Sequence, residues 1–209
     1  MDERRRRLLA TVLAWAFAGA GFARAQQDGA NGIFLVARPE LRDPNFRETV
    51  VLITQPEAVG GPLGVIVNRP LAARLSDALP EVGEIPDLSN QMYGGGPVAR
   101  NRLLFLVRSS EPPPRSLRVL EDVFLTGDRE LPAAVARGEF AAAQYRGHAG
   151  YAGWGARQLQ SEIAAGGWYL THADAETIFA ADASAVWPAM IRRATQLRTD
   201  RRPMPRRIG

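Results

Sequence analysis

The chain is 209 residues long, 46% hydrophobic and 23% charged, with 26 basic and 22 acidic residues and a net charge of +4. That length supports one well-buried domain, and the apolar content excludes a generally disordered chain. There is no cysteine, which rules out disulfides, thiolate nucleophiles and cysteine-ligated metal or iron–sulfur sites.

Every basic residue is arginine, and the charge sits at the ends. Residues 1–25 carry five Arg against Asp2 and Glu3, and residues 198–209 carry five Arg against Asp200. Residues 26–197 hold 16 Arg and 19 acids, so the body is mildly acidic. Such a body lacks the basic footprint of a nucleic-acid binder, and no specific nucleic-acid partner is expected.

Arg4-Arg5-Arg6-Arg7 precedes an apolar stretch over 8–22, and Ala23-Arg24-Ala25 fits a small-x-small cleavage site. This pattern predicts a cleaved signal peptide at 1–25 and a periplasmic or secreted protein, with a cytoplasmic protein as the alternative if the start codon is misassigned. Arg5-Arg6-Arg7-Leu8-Leu9 also loosely matches a twin-arginine signal. No later segment reaches the ~20 apolar residues of a membrane-spanning helix.

Residues 33–37 and 49–54 are short runs rich in Val, Ile and Leu, which predicts buried strands. The turn-forming Pro39, Pro44 and Asn45 lie between them. Residues 63–68 read as the next strand. Leu71, Leu75 and Leu79 have helical spacing, and Pro80 would end that helix. Residues 81–91 read as a surface loop and Gly94-Gly95-Gly96-Pro97 as a turn.

Further on, 103–107 reads as a strand, Glu111-Pro112-Pro113-Pro114 as an extended connector, and 117–125 as containing another strand. Residues 130–137 form a predicted helix closed by Gly138, and 140–145 a strand leading into a glycine-rich aromatic turn, Gly150-Tyr151-Ala152-Gly153-Trp154. A helix over 156–165, a strand over 168–171 and helices over 173–179 and 184–197 complete the chain, the last two started by Asp174 and Ser184. The Arg/Pro-rich tail at 198–209 reads as disordered. Strands interleaved with short helices favour an α+β single domain over a parallel doubly wound sheet.

Five motifs stand in order: Asp43-Pro44-Asn45-Phe46 before a valine-rich strand, Gly64-Val65-Ile66-Val67-Asn68-Arg69-Pro70, Tyr93-Gly94-Gly95-Gly96-Pro97-Val98, Gly150–Trp154 followed by Gln158-Leu159, and Trp168. Together they resemble the signatures of the bacterial YqgE/AlgH family, over roughly residues 32–195. The resemblance implies a compact α+β domain at 32–197 with a bent, barrel-like mixed sheet flanked by helices. It implies no settled reaction. Gln55-Pro56, Arg108-Ser109 and Arg157 depart from the family pattern, the first two at positions where histidine is frequent.

For the motif residues, structural and functional roles compete. Asp43 can accept backbone N–H bonds in a turn or bind a ligand. Asn68 can clamp backbone, and Arg69 can fork onto a carboxylate or phosphate or bridge to Asp43. Gly94-Gly95-Gly96 could cradle a phosphate through its amides, but no Lys-Ser/Thr follows. Tyr151 and Trp154 suit packing or a stacking platform. His148 and His172 are the only histidines, and His172 with Asp174 lacks a third ligand for a metal.

The expected function is a binding or regulatory module recognising a protein partner or small ligand, with no cofactor. Its candidate ligand-binding residues are Asp43, Asn68, Arg69, Gly95, Gly96, Tyr151 and Trp154. One alternative is a hydrolase on a small polar substrate with His148 as base. Another is the transcriptional-regulator role often attached to the family.

Overall fold

The computed structural model describes residues 32–55, 61–82, 85, 87–142 and 144–200. The expected signal at 1–25 and the tail from 201 onward lie outside the described residues.

The first two strands, β1 (Ile33–Ala37) and β2 (Val50–Gln55), are buried almost throughout rather than on alternate residues. Continuous apolar sequence is what a strand needs when both sheet faces are covered. They pair antiparallel, β2 with β3 (Leu63–Ile66), and β1 also with β10 (Trp168–His172).

The second half of the sheet holds β4 (Pro70–Arg74), β5 (Gln91–Gly94), β6 (Val98–Arg108), β7 (Ser116–Arg118) and β8 (Val123–Thr126). A long strand, β9 (Gln144–Gly153), joins the halves. It pairs antiparallel with β3 and β6 and parallel with β5. The strand order is β10-β1-β2-β3-β9-β6-β8-β7, with β4 attached through β5. One α+β domain with a strongly curled, mixed and mainly antiparallel sheet results.

Helices cover both faces. The short helices are α1 (Leu75–Ala78), α2 (Asp87–Asn90), α3 (Leu131–Ala136), α4 (Gln158–Ala164) and α5 (Ala175–Ile178), and α6 (Ala183–Asp200) is the long one. On one face, Phe34, Val36, Leu52 and Leu106 pack with Ile178 and Phe179 and with Val186 and Met190 of α6. On the other face of the first half, Leu35, Val51 and Ile66 pack under Leu159 of α4 with Trp154 and Trp168. In the second half, Phe105, Val107 and Tyr145 pack against Leu75, Leu79 and Leu131. Each fully buried side chain of this size contributes roughly 1.5–3 kcal/mol.

Several expectations need correction. The helix predicted over 71–79 is a strand followed by one helical turn, because β4 pairs with β5 from Pro70↔Tyr93 to Arg74↔Gln91. Leu71, Leu75 and Leu79 still reach one core, Leu71 from the strand and the others from the helical segment and its end. Residues 81–91 are not all loop, since they hold α2 and buried Ile85 and Asn90. Residues 117–125 span a hairpin, β7 and β8, rather than a single strand.

The segment 150–153 is not a turn but the last stretch of β9. Gly150 carries φ +74° inside it, so the strand kinks there without ending. Asp174 caps α5 as expected, accepting from Thr177 N at 2.7 Å. The cap of α6 is Asp182, not Ser184: its Oδ1 accepts from Ser184 N at 2.9 Å.

Candidate functional site

Four of the five motifs meet around one crossing, where the loop at 43–49, the end of β3, the 94–97 connection and β9 come together. Asp43 starts the loop. Its Oδ1 accepts from Asn45 N at 2.8 Å, and its carbonyl accepts from the N–H groups of Phe46 and Arg47 at 3.0 and 2.8 Å. This is an Asx turn entered through the fixed φ of Pro44.

Asn68 and Arg69 then fasten that loop to the sheet. Asn68 Oδ1 accepts from Val50 N at 2.8 Å, and its Nδ2 donates to the Glu48 carbonyl at 3.0 Å. Arg69 Nη1 donates to the Asn45 carbonyl at 2.5 Å, and Nη2 to that of Arg47 at 3.4 Å. The anticipated Asp43–Arg69 bridge is therefore replaced: Arg69 grips the backbone of the turn that Asp43 organises. Partial burial lowers the Arg69 pKa, as do the nearby charges of Arg100 and Arg47, and Asp43 opposes them.

Gly95 and Gly96 are committed to β9. Gly95 N donates to the Ala149 carbonyl and Gly95 O accepts from Ile66 N, both at 2.9 Å, so its amide is not open to a phosphate. A Cβ on Gly95 would stand 2.2 Å from the Gly150 oxygen, and one on Gly96 would stand 2.2 Å from the Tyr151 carbonyl group. Two backbones lie in contact here, a proximity that only glycine allows.

The aromatic motif residues pack inward. Trp154 is 4% exposed and stacks on Phe46 at 5.7 Å between centroids, and Trp168 meets both edge-on. The indole N–H groups of Trp154 and Trp168 donate to the same oxygen, Glu162 Oε2, at 3.0 and 2.9 Å. Gln158 Nε2 holds the other Glu162 oxygen at 2.9 Å. Tyr151 is half-buried on the face that carries α6.

Arg146 and His148 alternate on β9 and so face the same side. Arg146 is 5% exposed and donates to the carbonyls of Ile178 at 2.8 Å and Ala180 at 2.6 Å, with its guanidinium over the Tyr93 ring. His148 is fully buried beside Tyr93, and neither ring nitrogen has a hydrogen-bond partner. Burial first, then the Arg146 charge, lower its pKa to about 3; the Ile66 backbone pulls weakly the other way. A sealed, neutral imidazole cannot serve a substrate as general base from this position.

His172 is exposed, while Asp174 has both oxygens engaged, by Thr177 N and by Arg193. That pair is not assembled as a ligand set. Among the described residues no three His, Asp or Glu side chains converge as metal ligands, and no helix is long and apolar enough to cross a membrane. At the departure from the family pattern, Arg108 Nε donates to Asp122 at 2.6 Å and Nη2 to Glu176 at 3.1 Å. Pro56 lies outside the described residues.

The sequence alone marks Phe46 as a motif residue but gives no role to Glu162, Arg146, Arg47 or Arg100. A signal existed for Glu162, which lies one helical turn after Gln158 in a helix flanked by two tryptophans. For Arg47 and Arg100 there was none, because their neighbourhood depends on the β6–β9 register.

One irregularity dominates the crossing. β6 pairs with β9 at Val98↔Tyr151 and next at Leu103↔Ala149. The intervening residues of β6 outnumber those of β9, so 99–102 bulge out as an arch. Ala99 has φ +46°, and Ala99, Arg100 and Asn101 are exposed. Bulges of this kind re-aim side chains away from the sheet.

The sequence profile of the AlgH-like family matches residues 34–197. A UPF0301 protein of Thermobifida fusca is 36% identical over 171 residues, covering 78% of this chain and 85% of that protein. One from Methylococcus capsulatus is 37% identical over 162 residues, 75% of this chain and 84% of that one. The solution structure of the AlgH protein from Pseudomonas aeruginosa superposes with a TM-score of 0.64 at 26% identity, over 86% of this chain and 97% of that chain. The crystal structure of a Corynebacterium diphtheriae protein shares the fold, with a TM-score of 0.63 at 23% identity, over 90% of this chain and 96% of that chain.

Proposed function

The chain belongs to the AlgH-like family, and on that premise we propose that it works as a binding module whose recognition surface is the 99–102 arch with the neighbouring 43–49 loop. The observation that carries this reading is the division of labour at the crossing. Asp43, Asn68 and Arg69 commit polar groups to the backbone of the 43–49 loop and β2, and Gly95 to β9, and beside this fixed scaffold lies an exposed, bulged segment. Rigid scaffolds that hold an irregular surface segment are the usual setting of binding sites.

The sequence at 1–25 supports placing this module in the periplasm, where its partner would be an envelope protein or an exported small molecule. N-terminal sequencing of the protein from its own host tests the location: a start at Gln26 supports it and an intact Met1 overturns it.

Binding itself is tested by a photo-crosslinking residue at Asn101 in the full chain, expressed in the host. A discrete adduct at Asn101, absent from a control site on exposed Glu139, is the expected result. Equal labelling at both sites, or none, overturns the reading.

A further inference from the structure

Arg69 lies with its side chain along Gly94, whose Cβ position is 3.6 Å from Arg69 Cδ. Its Nη2 reaches the Arg47 carbonyl at 3.4 Å. Across the crossing, the Gly95 Cβ position is 2.2 Å from the Gly150 oxygen, and that of Gly150 is 3.1 Å from Arg100 Cα. The loop, the end of β3 and the arch thus bring three arginines to one surface. Arg47 and Arg100 are exposed and Arg69 is half-buried.

Like charges gathered this way repel one another: burial lowers the Arg69 pKa most, and the charges of Arg100 and Arg47 lower it further. Among the described residues Asp43 is the acid that acts on that guanidinium, and no described carboxylate lies within ion-pair distance of Arg47 or Arg100. Two of the three arginines also follow or precede strained backbone. Glu48, next to Arg47, has φ +55°, and Ala99, next to Arg100, has φ +46°. Non-glycine residues in that region cost about 1–3 kcal/mol each and persist where the surroundings impose them, commonly at ligand sites.

We propose that Arg47, Arg69 and Arg100 form an oxyanion site for a phosphomonoester, held between the 43–49 loop and the arch of β6. The Arg47 and Arg100 guanidinium forks match phosphate oxygens, while Arg69, whose Nη groups hold the Asn45 and Arg47 carbonyls, adds its charge. Three arginines against Asp43 leave an excess that a dianion neutralises, and a phosphomonoester carries about two negative charges at pH 7. A carboxylate would leave one cation unmatched. The inference rests on the binding-module reading and names its ligand class.

The test is an amide chemical-shift titration of the full chain with inorganic phosphate, and with acetate at matched ionic strength. Arg100→Gln and Arg47→Gln, both exposed positions, are titrated alongside the parent. Saturable phosphate shifts are expected at 45–48 and 99–102, with acetate weaker. Either variant should weaken phosphate binding about tenfold, the loss expected for one charge-assisted contact. Non-saturating shifts, equal response to acetate, or unchanged affinity in Arg100→Gln overturns the proposal. Should phosphate fail while Asn101 crosslinks discretely, the ligand class falls and the binding module stands. Should both fail, the module reading falls with it.

Discussion

Asn68 holds Glu48 in a left-handed backbone conformation: its Nδ2 donates to the Glu48 carbonyl at 3.0 Å where φ is +55°. The same amide accepts from Val50 N, a residue with no exposed surface.

Loss of Asn68 would leave that buried N–H without a partner. Asn68→Ala is expected to cost about 2 kcal/mol, within the range for an orphaned buried donor plus a lost hydrogen bond. Glu48→Gly relieves the backbone instead, and is expected to be neutral or stabilising by up to about 1 kcal/mol. Urea unfolding of both variants checks the pair. Equal destabilisation would show that Asn68 does not act through the Glu48 turn.

Glu162 binds two indoles with a single oxygen. Glu162→Ala strands both N–H groups in surroundings where Trp154 and Trp168 are each 4% exposed. A loss of about 2–4 kcal/mol is expected, from two unsatisfied donors at about 1–2 each. Glu162→Gln keeps an acceptor and should recover most of it. Thermal melts followed by tryptophan fluorescence separate the two.

Gly95 and Gly138 predict opposite tolerance. Gly138 closes α3 at φ +71° with nothing within 4 Å of its Cβ position, so Gly138→Ala should cost only about 1 kcal/mol of backbone strain. Gly95→Ala drives a Cβ to 2.2 Å from the Gly150 oxygen and must part β9 from its neighbour. It is expected to abolish folding or to cost more than about 4 kcal/mol. A soluble Gly95→Ala protein with near-parental stability would contradict the close crossing.

His148 makes stability pH-dependent. Its pKa is near 3 in the folded state against an ordinary 6.5, so the unfolded chain binds the proton first. The neutral imidazole's contribution is complete above pH 6.5 and is lost as the pH falls toward 3, by about 1.4 kcal/mol per unit where the two states differ by a whole proton. His148→Leu should flatten the stability curve between pH 6 and 4. Arg146→Met removes a cation that opposes protonation, and should narrow the acid-sensitive window. Denaturant midpoints across that range decide it; parallel curves for parent and His148→Leu would exclude His148 as the cause.

The parts legible in the sequence are those fixed by local chemistry. β1 is legible because its apolar run is long enough for one strand and flanked by turn residues, and Asp174 caps α5 because a cap needs only the next three residues. Helical spacing at Leu71, Leu75 and Leu79 misled because a strand followed by one helical turn sends these leucines to the same core. Gly150 reads locally as a turn. Only pairing with β6 and β3 on either side makes it a kink within β9. The clamp types of Asn68 and Arg69 were readable, but their partners lie about twenty residues back and follow from the loop's docking.

β9 has a temporal consequence. It supplies the missing neighbour of β3, β5 and β6 at once, yet it occupies 144–153. A chain emerging from the ribosome therefore leaves these three strand borders open until more than two thirds of it has been made. Unpaired borders of that kind invite association with other chains. The nascent protein should be engaged by a holding chaperone until residue 153 emerges, and released soon afterwards; ribosome-bound fragments ending before and after β9 would show the change in chaperone occupancy.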